Sequence, residues 1–91
     1  MEDLRELLKN GAAVVDVRTK GEFSSGHVKG SINIPLDQLS GKAKKLMRYP
    51  HIILCCRSGS RSGMALRQLR SMGFKNLSNG GSWQNVKRFT N

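Results

Sequence analysis

The sequence contains few cysteines: among its 91 residues only Cys55 and Cys56 are cysteine, and they are adjacent. Neighbouring cysteines cannot form the disulfide framework of a small secreted fold. They are also insufficient for a zinc site, because His27 and His51 stand at no recognisable ligand spacing. We therefore expect no bound metal, and a reactive thiol is the remaining functional interpretation of the pair.

Acidic residues are also scarce, with 6 Asp and Glu against 16 Lys and Arg and a formal net charge of +10. Such a surplus attracts anions, and nucleic acid is the first partner to consider. Aromatic residues make up only 5% of the chain, and none interleaves with the basic residues where it could stack on bases. We therefore expect no nucleic-acid partner, and a basic surface that steers small anions toward a site.

Long hydrophobic runs are absent, since none approaches the roughly 18 apolar residues that a membrane span needs. No succession of basic, apolar and small residues opens the chain as in a signal peptide. The length suits one small domain. We expect a single domain over residues 1–91 that acts as a monomer without a membrane, in the cytoplasm, or in the periplasm if a leader has been removed.

The chain does contain short apolar runs bounded by glycine, proline or polar residues. Such runs suit strands that are buried on both faces, as in a parallel sheet. They alternate with stretches of helical periodicity, which indicates an α/β fold with a small, mostly parallel sheet and helices on both faces. The predicted strands are residues 12–17, 32–34, 52–56 and 74–77; the predicted helices are residues 2–9, 21–25, 36–47, 62–72 and 83–89, with a loop at 78–82.

The most informative segment is residues 52–63, where an apolar strand pattern leads into Cys56, a short loop of small and basic residues, and a helical pattern. A thiol there stands at the carboxyl end of a strand, the edge where open α/β sheets bind ligands. Unpaired N–H groups and the helix dipole favour an anion there, and so favour the thiolate over the thiol. The segment predicts a cysteine nucleophile with an anion-binding loop.

Five blocks taken together resemble the rhodanese (sulfurtransferase) family, from about residue 4 to residue 83. The blocks are Asp16-Val17-Arg18, Glu22-Phe23, residues 26–35, residues 56–62 and Gly80-Gly81. One departure is visible, because Trp83 follows Gly81 by two residues, whereas the family commonly places a tryptophan four residues after the double glycine. The chain is therefore more similar to the small stand-alone rhodaneses, and the resemblance implies their three-layer fold.

Two registers of the loop leave two candidate nucleophiles. Counted from Cys55, five residues precede Arg61, as in cysteine-based phosphatases and the Cdc25-like relatives of rhodanese. Counted from Cys56, four residues precede Arg61, which resembles the rhodanese loop; the tighter ring suits a single sulfur atom better than a tetrahedral oxyanion. Only one cysteine can easily face the loop, because neighbours in a strand point to opposite faces. We favour Cys56, with Cys55 as a core residue.

In this register the resemblance implies a rhodanese-type sulfurtransferase that needs no metal or organic cofactor. Cys56 would take sulfane sulfur from thiosulfate or a related small anionic donor and pass it, as a persulfide, to cyanide or a thiol acceptor. Two alternatives stay open: a sulfur-relay module that carries a persulfide for a protein partner, and a Cdc25-like phosphatase or arsenate reductase that uses Cys55. The implied substrate-binding residues are Arg57, Ser58, Gly59, Ser60 and Arg61.

Other residues of the motifs are expected to support the site. Gly59 would permit a backbone conformation with positive φ, and Ser62 would cap the following helix. Gly80 and Gly81 would allow close backbone approach near the loop, and Trp83 would serve packing.

Four further residues are expected to be structural. Asp16, Arg18 and Glu22 would form an ion-pair and loop-fixing set. His27, between two glycine-marked turns, would be a hydrogen-bonded loop anchor.

Overall fold

The computed structural model describes residues 3–90, in which helices alternate with strands. Residues 1, 2 and 91, including the first residue of the predicted helix 2–9, lie outside the described part. None of the described helices is long and apolar enough to cross a membrane. The strands are β1 (Ala13–Asp16), β2 (Ile32–Asn33), β3 (Ile52–Cys56) and β4 (Leu77–Ser82); the helices are α1 (Leu4–Lys9), α2 (Lys20–Ser24), α3 (Leu39–Lys42), α4 (Ser60–Ser71) and α5 (Trp83–Lys87), with 3₁₀ helices at Leu36–Gln38 and Ala43–Arg48.

The four strands form one parallel sheet in the order β2-β1-β3-β4. Val14 of β1 lies opposite Ile53 of β3, and Ile53 lies opposite Ser78 of β4. Because all strands run the same way, their carboxyl ends share one edge of the sheet, and Cys56 is the last residue of the central strand β3. The predicted α/β class with a mostly parallel sheet is confirmed.

The core has two parts, one on each face of the sheet, so the domain has three layers. Ile52, Leu54 and Cys56 belong to the larger cluster, whereas Ile53 and Cys55 belong to the smaller one. This alternation is the two-residue period of a strand. The larger cluster also contains Leu39, Leu46, Ala65 and Leu69 from the helical segments, and the smaller one packs against α1 and contains Val86 of α5.

The last strand differs from the prediction. Residues 74–77 were expected to form it and residues 78–82 a loop, but β4 spans Leu77–Ser82. Phe74 instead lies in the turn that closes α4, because its N–H donates to the carbonyl of Leu69 in that helix at 3.1 Å. β4 has few apolar residues, and its pairing with β3 shifts in register between Leu54 and Cys55 of β3. Neither periodicity nor composition therefore identifies β4 as a strand.

The predicted helix 36–47 is also different, because that segment divides into a 3₁₀ turn, the short α3 and a second 3₁₀ helix. Its buried residues Leu39, Ala43 and Leu46 still face the core at helical spacing. Packing of this face therefore holds the segment in place although Gly41 weakens a continuous α-helix.

Candidate active site

Cys56 ends β3 at the carboxyl edge of the sheet, and the chain turns through residues 57–59 into α4. Gly59 makes this turn with φ of 101°, a conformation that residues with a Cβ resist, and its N–H donates to Cys56 Sγ at 3.0 Å. The N–H of Ser62 donates to the same sulfur at 3.4 Å. We call residues 56–62 the sulfur loop: its backbone N–H groups converge on one sulfur atom.

The surroundings of Cys56 favour a thiolate. Burial raises the pKa of the Cys56 thiol, but hydrogen bonds from the Ser62 hydroxyl and from the N–H groups of Ser62, Ser58 and Gly59 outweigh it, so the pKa is lowered to about 7. A substantial fraction of Cys56 is therefore ionised at neutral pH, although the residue is only 1% exposed.

Cys55 has the opposite environment. Its side chain is buried in the smaller core cluster with Val14, Ile53 and Val86. Burial, and secondarily the negative charge of Asp16, raise the pKa of Cys55 to about 12. Of the two candidate thiols, only Cys56 is placed to ionise near neutral pH.

Ser62 does not cap α4, contrary to the expectation from sequence. The helix begins at Ser60 after Gly59, so Ser62 lies inside its first turn and is fully buried. Its Oγ lies 3.5 Å from Cys56 Sγ and donates a hydrogen bond to Asn79 Oδ1 at 2.7 Å. The earlier start of the helix places the Ser62 hydroxyl beside the sulfur.

Arg61 pairs with Glu22 of α2. Its two terminal nitrogens lie 2.7 and 3.0 Å from the two carboxylate oxygens. This hydrogen bond from Arg61 is the main cause that lowers the pKa of Glu22 to about 2. The pair connects α2 to the first turn of α4.

The expected set of Asp16, Arg18 and Glu22 is thus divided between two ion pairs. Arg18 pairs with the buried Asp16 at 2.7 Å and donates to the backbone carbonyls of Glu22 and Gly26. These bonds tie Arg18 to α2 and to the turn that follows it, as expected of a loop-fixing set, while the Glu22 carboxylate bonds to Arg61.

The other predicted loop residues lie at the rim. Arg57, Ser58 and Ser60 are exposed. Arg57 borders a groove of about 360 Å³, which is also lined by Arg18, Glu22, Ser25, Trp83 and Gln84. This groove lies beside the sulfur loop, and the exposed Arg57 stands at its border.

The backbones of the sulfur loop and β4 lie close together, as we expected from Gly80 and Gly81. A Cβ on Gly59 would lie 3.4 Å from Gly81 Cα, whereas one on Gly80 would meet a core side chain, 2.5 Å from Val86 Cγ2. Trp83 packs over Gly26 and stacks under the Arg18 guanidinium, whose carbon is 4.9 Å from the ring centroid. The Trp83 contacts agree with its expected packing role.

His27 is a loop anchor, as expected: its Nδ1 lies 2.8 Å from the carbonyl of Phe23, and the two rings stack. Among residues 3–90, no group of three or more His, Cys, Asp or Glu side chains is placed to hold a metal ion.

Asn79 is a residue of this site that sequence reasoning missed. It was assigned to a loop, whereas in β4 its carboxamide contacts both Ser62 and the carbonyl of Gly59. Only its position next to Gly80-Gly81 could have drawn attention to it.

The fold and the sulfur loop define the class of protein. The sequence profile of the Rhodanese-like domain matches residues 1–88, and the chain belongs to this family. A solved rhodanese-related protein from Thermoplasma volcanium superimposes with a TM-score of 0.79 at 32% identity, covering 94% of this chain and 84% of that one.

Two curated relatives of this chain have names that refer to sulfur chemistry. Thiosulfate sulfurtransferase PspE of Escherichia coli is 28% identical over 74 residues, which are 79% of this chain and 71% of PspE. YrkF of Bacillus subtilis, whose name proposes a sulfur carrier, is 36% identical over 66 residues, 72% of this chain and 36% of YrkF. The chain spans only 36%, 54% and 45% of the lengths of YrkF and of two other curated relatives that it matches. The fold and the family profile identify a rhodanese-like domain.

Proposed function

We propose that the protein is a rhodanese-type thiosulfate sulfurtransferase with Cys56 as its nucleophile. The Cys56 thiolate attacks the outer sulfur of thiosulfate or a related small anionic donor, and the sulfur–sulfur bond of the donor breaks. Sulfite leaves with the electron pair, and a Cys56 persulfide anion remains. Cyanide or a thiolate then attacks the outer sulfur and releases the Cys56 thiolate, so the cycle has two half-reactions.

The observation that carries the proposal is the convergence of N–H donors on Cys56 Sγ. Oriented N–H groups stabilise a negative sulfur without the reorganisation that water would need. The same groups can stabilise the persulfide anion, in which the charge lies one atom further out. Ser58 and Gly59 supply such donors, and Ser60 opens the helix whose amino end faces the loop.

The arginines take different parts in this proposal. Exposed Arg57, at the rim of the groove, attracts the anionic end of the donor. Arg61 is paired with Glu22, so it holds the sulfur loop against α2. It adds positive charge from a position that does not contact the donor. A guanidinium already bound by a carboxylate is a weak clamp for a phosphate, which argues against the phosphatase alternative. The buried Cys55, with its raised pKa of about 12, argues against it further.

A sulfur-relay module remains the second candidate, favoured by the relation to YrkF. It would use the same Cys56 persulfide but exchange sulfur with a protein. Rapid persulfide formation together with slow turnover on small acceptors would favour it over the enzyme.

The test is intact mass after incubation with excess thiosulfate and removal of small molecules. We expect a gain of about 32 Da, one sulfur atom, which cyanide reverses. The adduct should form in wild type and in Cys55→Ser and be absent in Cys56→Ser. No adduct, or an adduct that requires Cys55, would contradict the proposal.

A further inference from the structure

Asn79 makes three hydrogen bonds, which join its carboxamide to the sulfur loop and to its own strand. Its Oδ1 accepts from the Ser62 hydroxyl at 2.7 Å and from the N–H of Gly81 at 2.9 Å. Its Nδ2 donates to the carbonyl of Gly59 at 3.2 Å. An exposed side chain with this many partners is ordered by the site it borders.

The Ser62 hydroxyl has one proton and two acceptors near it. While Cys56 is a thiol, its S–H donates to Ser62 Oγ and the Ser62 hydroxyl donates to Asn79 Oδ1. Once Cys56 is ionised, Sγ also becomes an acceptor for that proton. A hydrogen bond to a charged acceptor is the stronger one, so the hydroxyl can turn from a neutral amide oxygen to the thiolate.

We propose that Asn79 is a positioning residue for the Cys56 sulfur, because its Oδ1 competes with Sγ for the Ser62 proton and its Nδ2 holds the Gly59 carbonyl. The N–H of the same Gly59 donates to Sγ at 3.0 Å, so fixing its carbonyl also fixes a donor to the sulfur. The relevance to sulfur transfer rests on the proposed function, whereas the effect on the thiol does not.

The arrangement favours the Cys56 thiolate only if the side chain at position 79 is uncharged, as that of Asn79 is. A carboxylate at this position would accept the Ser62 proton more strongly, would repel the Gly59 carbonyl, and would add negative charge near the thiolate. All three effects favour the thiol. The charged or titratable groups that interact electrostatically with Cys56, Arg61 and Cys55, are unchanged by such a substitution.

The test measures the rate at which iodoacetamide alkylates Cys56 as a function of pH, with the modified cysteine identified by mass mapping. In Asn79→Asp the midpoint should rise by about one pH unit, which slows alkylation at neutral pH about fivefold. Asn76→Asp is a matched control: Asn76 is exposed, precedes the same strand, and bonds to Pro50 at the other end of the sheet. Its midpoint should equal that of the wild type.

The comparison is repeated in a Ser62→Ala background, with thermal melting of each variant to verify folding. There the shift caused by Asn79→Asp should be smaller, since no hydroxyl proton remains to compete for and only the effects through Gly59 and through charge persist. An equal shift in both backgrounds would show that competition for the Ser62 proton contributes nothing and would overturn the proposal, as would no shift in either. Alkylation needs no sulfur donor, so failure of persulfide formation with thiosulfate would count against the proposed function and not against this result.

Discussion

At the scale of single residues, the adjacent cysteines show how strongly strand geometry controls chemistry. Cys55 and Cys56 share a strand and a chemical identity, yet one faces an apolar cluster and the other a ring of N–H groups. Their opposite orientation was predictable, because the two-residue period of a strand requires it. The partners of Ser62 and Arg61 were not, since Asn79 and Glu22 are 17 and 39 residues away in the chain.

The Glu22–Arg61 pair should contribute to stability in a pH-dependent way. Glu22→Gln removes the charge but keeps an oxygen that can accept from the N–H of Thr19 in the capping box of α2. The pKa of Glu22 is lowered from 4.5 to about 2 in the folded protein, so its contribution is full above about 4.5 and is lost as pH falls toward 2. The wild type should therefore have a higher urea midpoint than Glu22→Gln near neutral pH, and the two midpoints should converge in acid.

Glu6→Gln is the control, because Glu6 is exposed on α1 and its loss changes the net charge equally. A gap between wild type and Glu22→Gln that stays constant down to acid pH would show that the effect is not the ion pair. The effect should be modest, because the pair is partly solvated.

At the scale of elements, the prediction was correct where the hydrophobic pattern of a strand is followed by a glycine that marks its turn. β3 and its loop combine a strand-like apolar run with Gly59, and their arrangement was predictable. β4 is polar and contains two glycines, so its assignment to a strand comes from long-range pairing with β3, which no local pattern encodes. The start of α4 at Ser60 depends on Gly59, a turn that sequence placed only to within two residues.

Gly80 is the point where this strand can be tested. Gly80→Ala would place a methyl group 2.5 Å from Val86 Cγ2 and 2.9 Å from Ile53 Cγ2, both in the smaller core cluster. Such overpacking should lower the free energy of unfolding by about 1–3 kcal/mol in urea denaturation. Gly21→Ala is the matched control, because nothing lies within 4 Å of its added Cβ and it stands in α2, where alanine should stabilise by about 0.5–1 kcal/mol. Equal stabilities of the two variants would contradict the tight packing at Gly80.

At the scale of the whole molecule, the sheet edge and the charge act together. The parallel strands bring Asp16, Cys56 and the carboxyl end of β4 to one edge of the sheet. The α/β class, predicted from the alternating strands and helices, was sufficient to locate that edge. The acids near the site are neutralised locally, Asp16 by Arg18 and Glu22 by Arg61. With a net charge of +10, we expect a positive field around the groove beside Arg57.

This field should accelerate reaction with an anionic donor and have little effect on a neutral reagent. The rate of persulfide formation with thiosulfate should fall several-fold between about 0.05 and about 0.5 M salt, because the screening length shortens to a few ångströms. Alkylation by neutral iodoacetamide should change by less than about twofold over the same range. Arg57→Gln should lower the thiosulfate rate and its salt dependence, whereas Lys75→Gln, an equal charge change at the amino end of the sheet, should leave both near wild type. Equal losses in the two variants would mean that net charge alone attracts the donor, and that Arg57 contributes no local field at the sulfur loop.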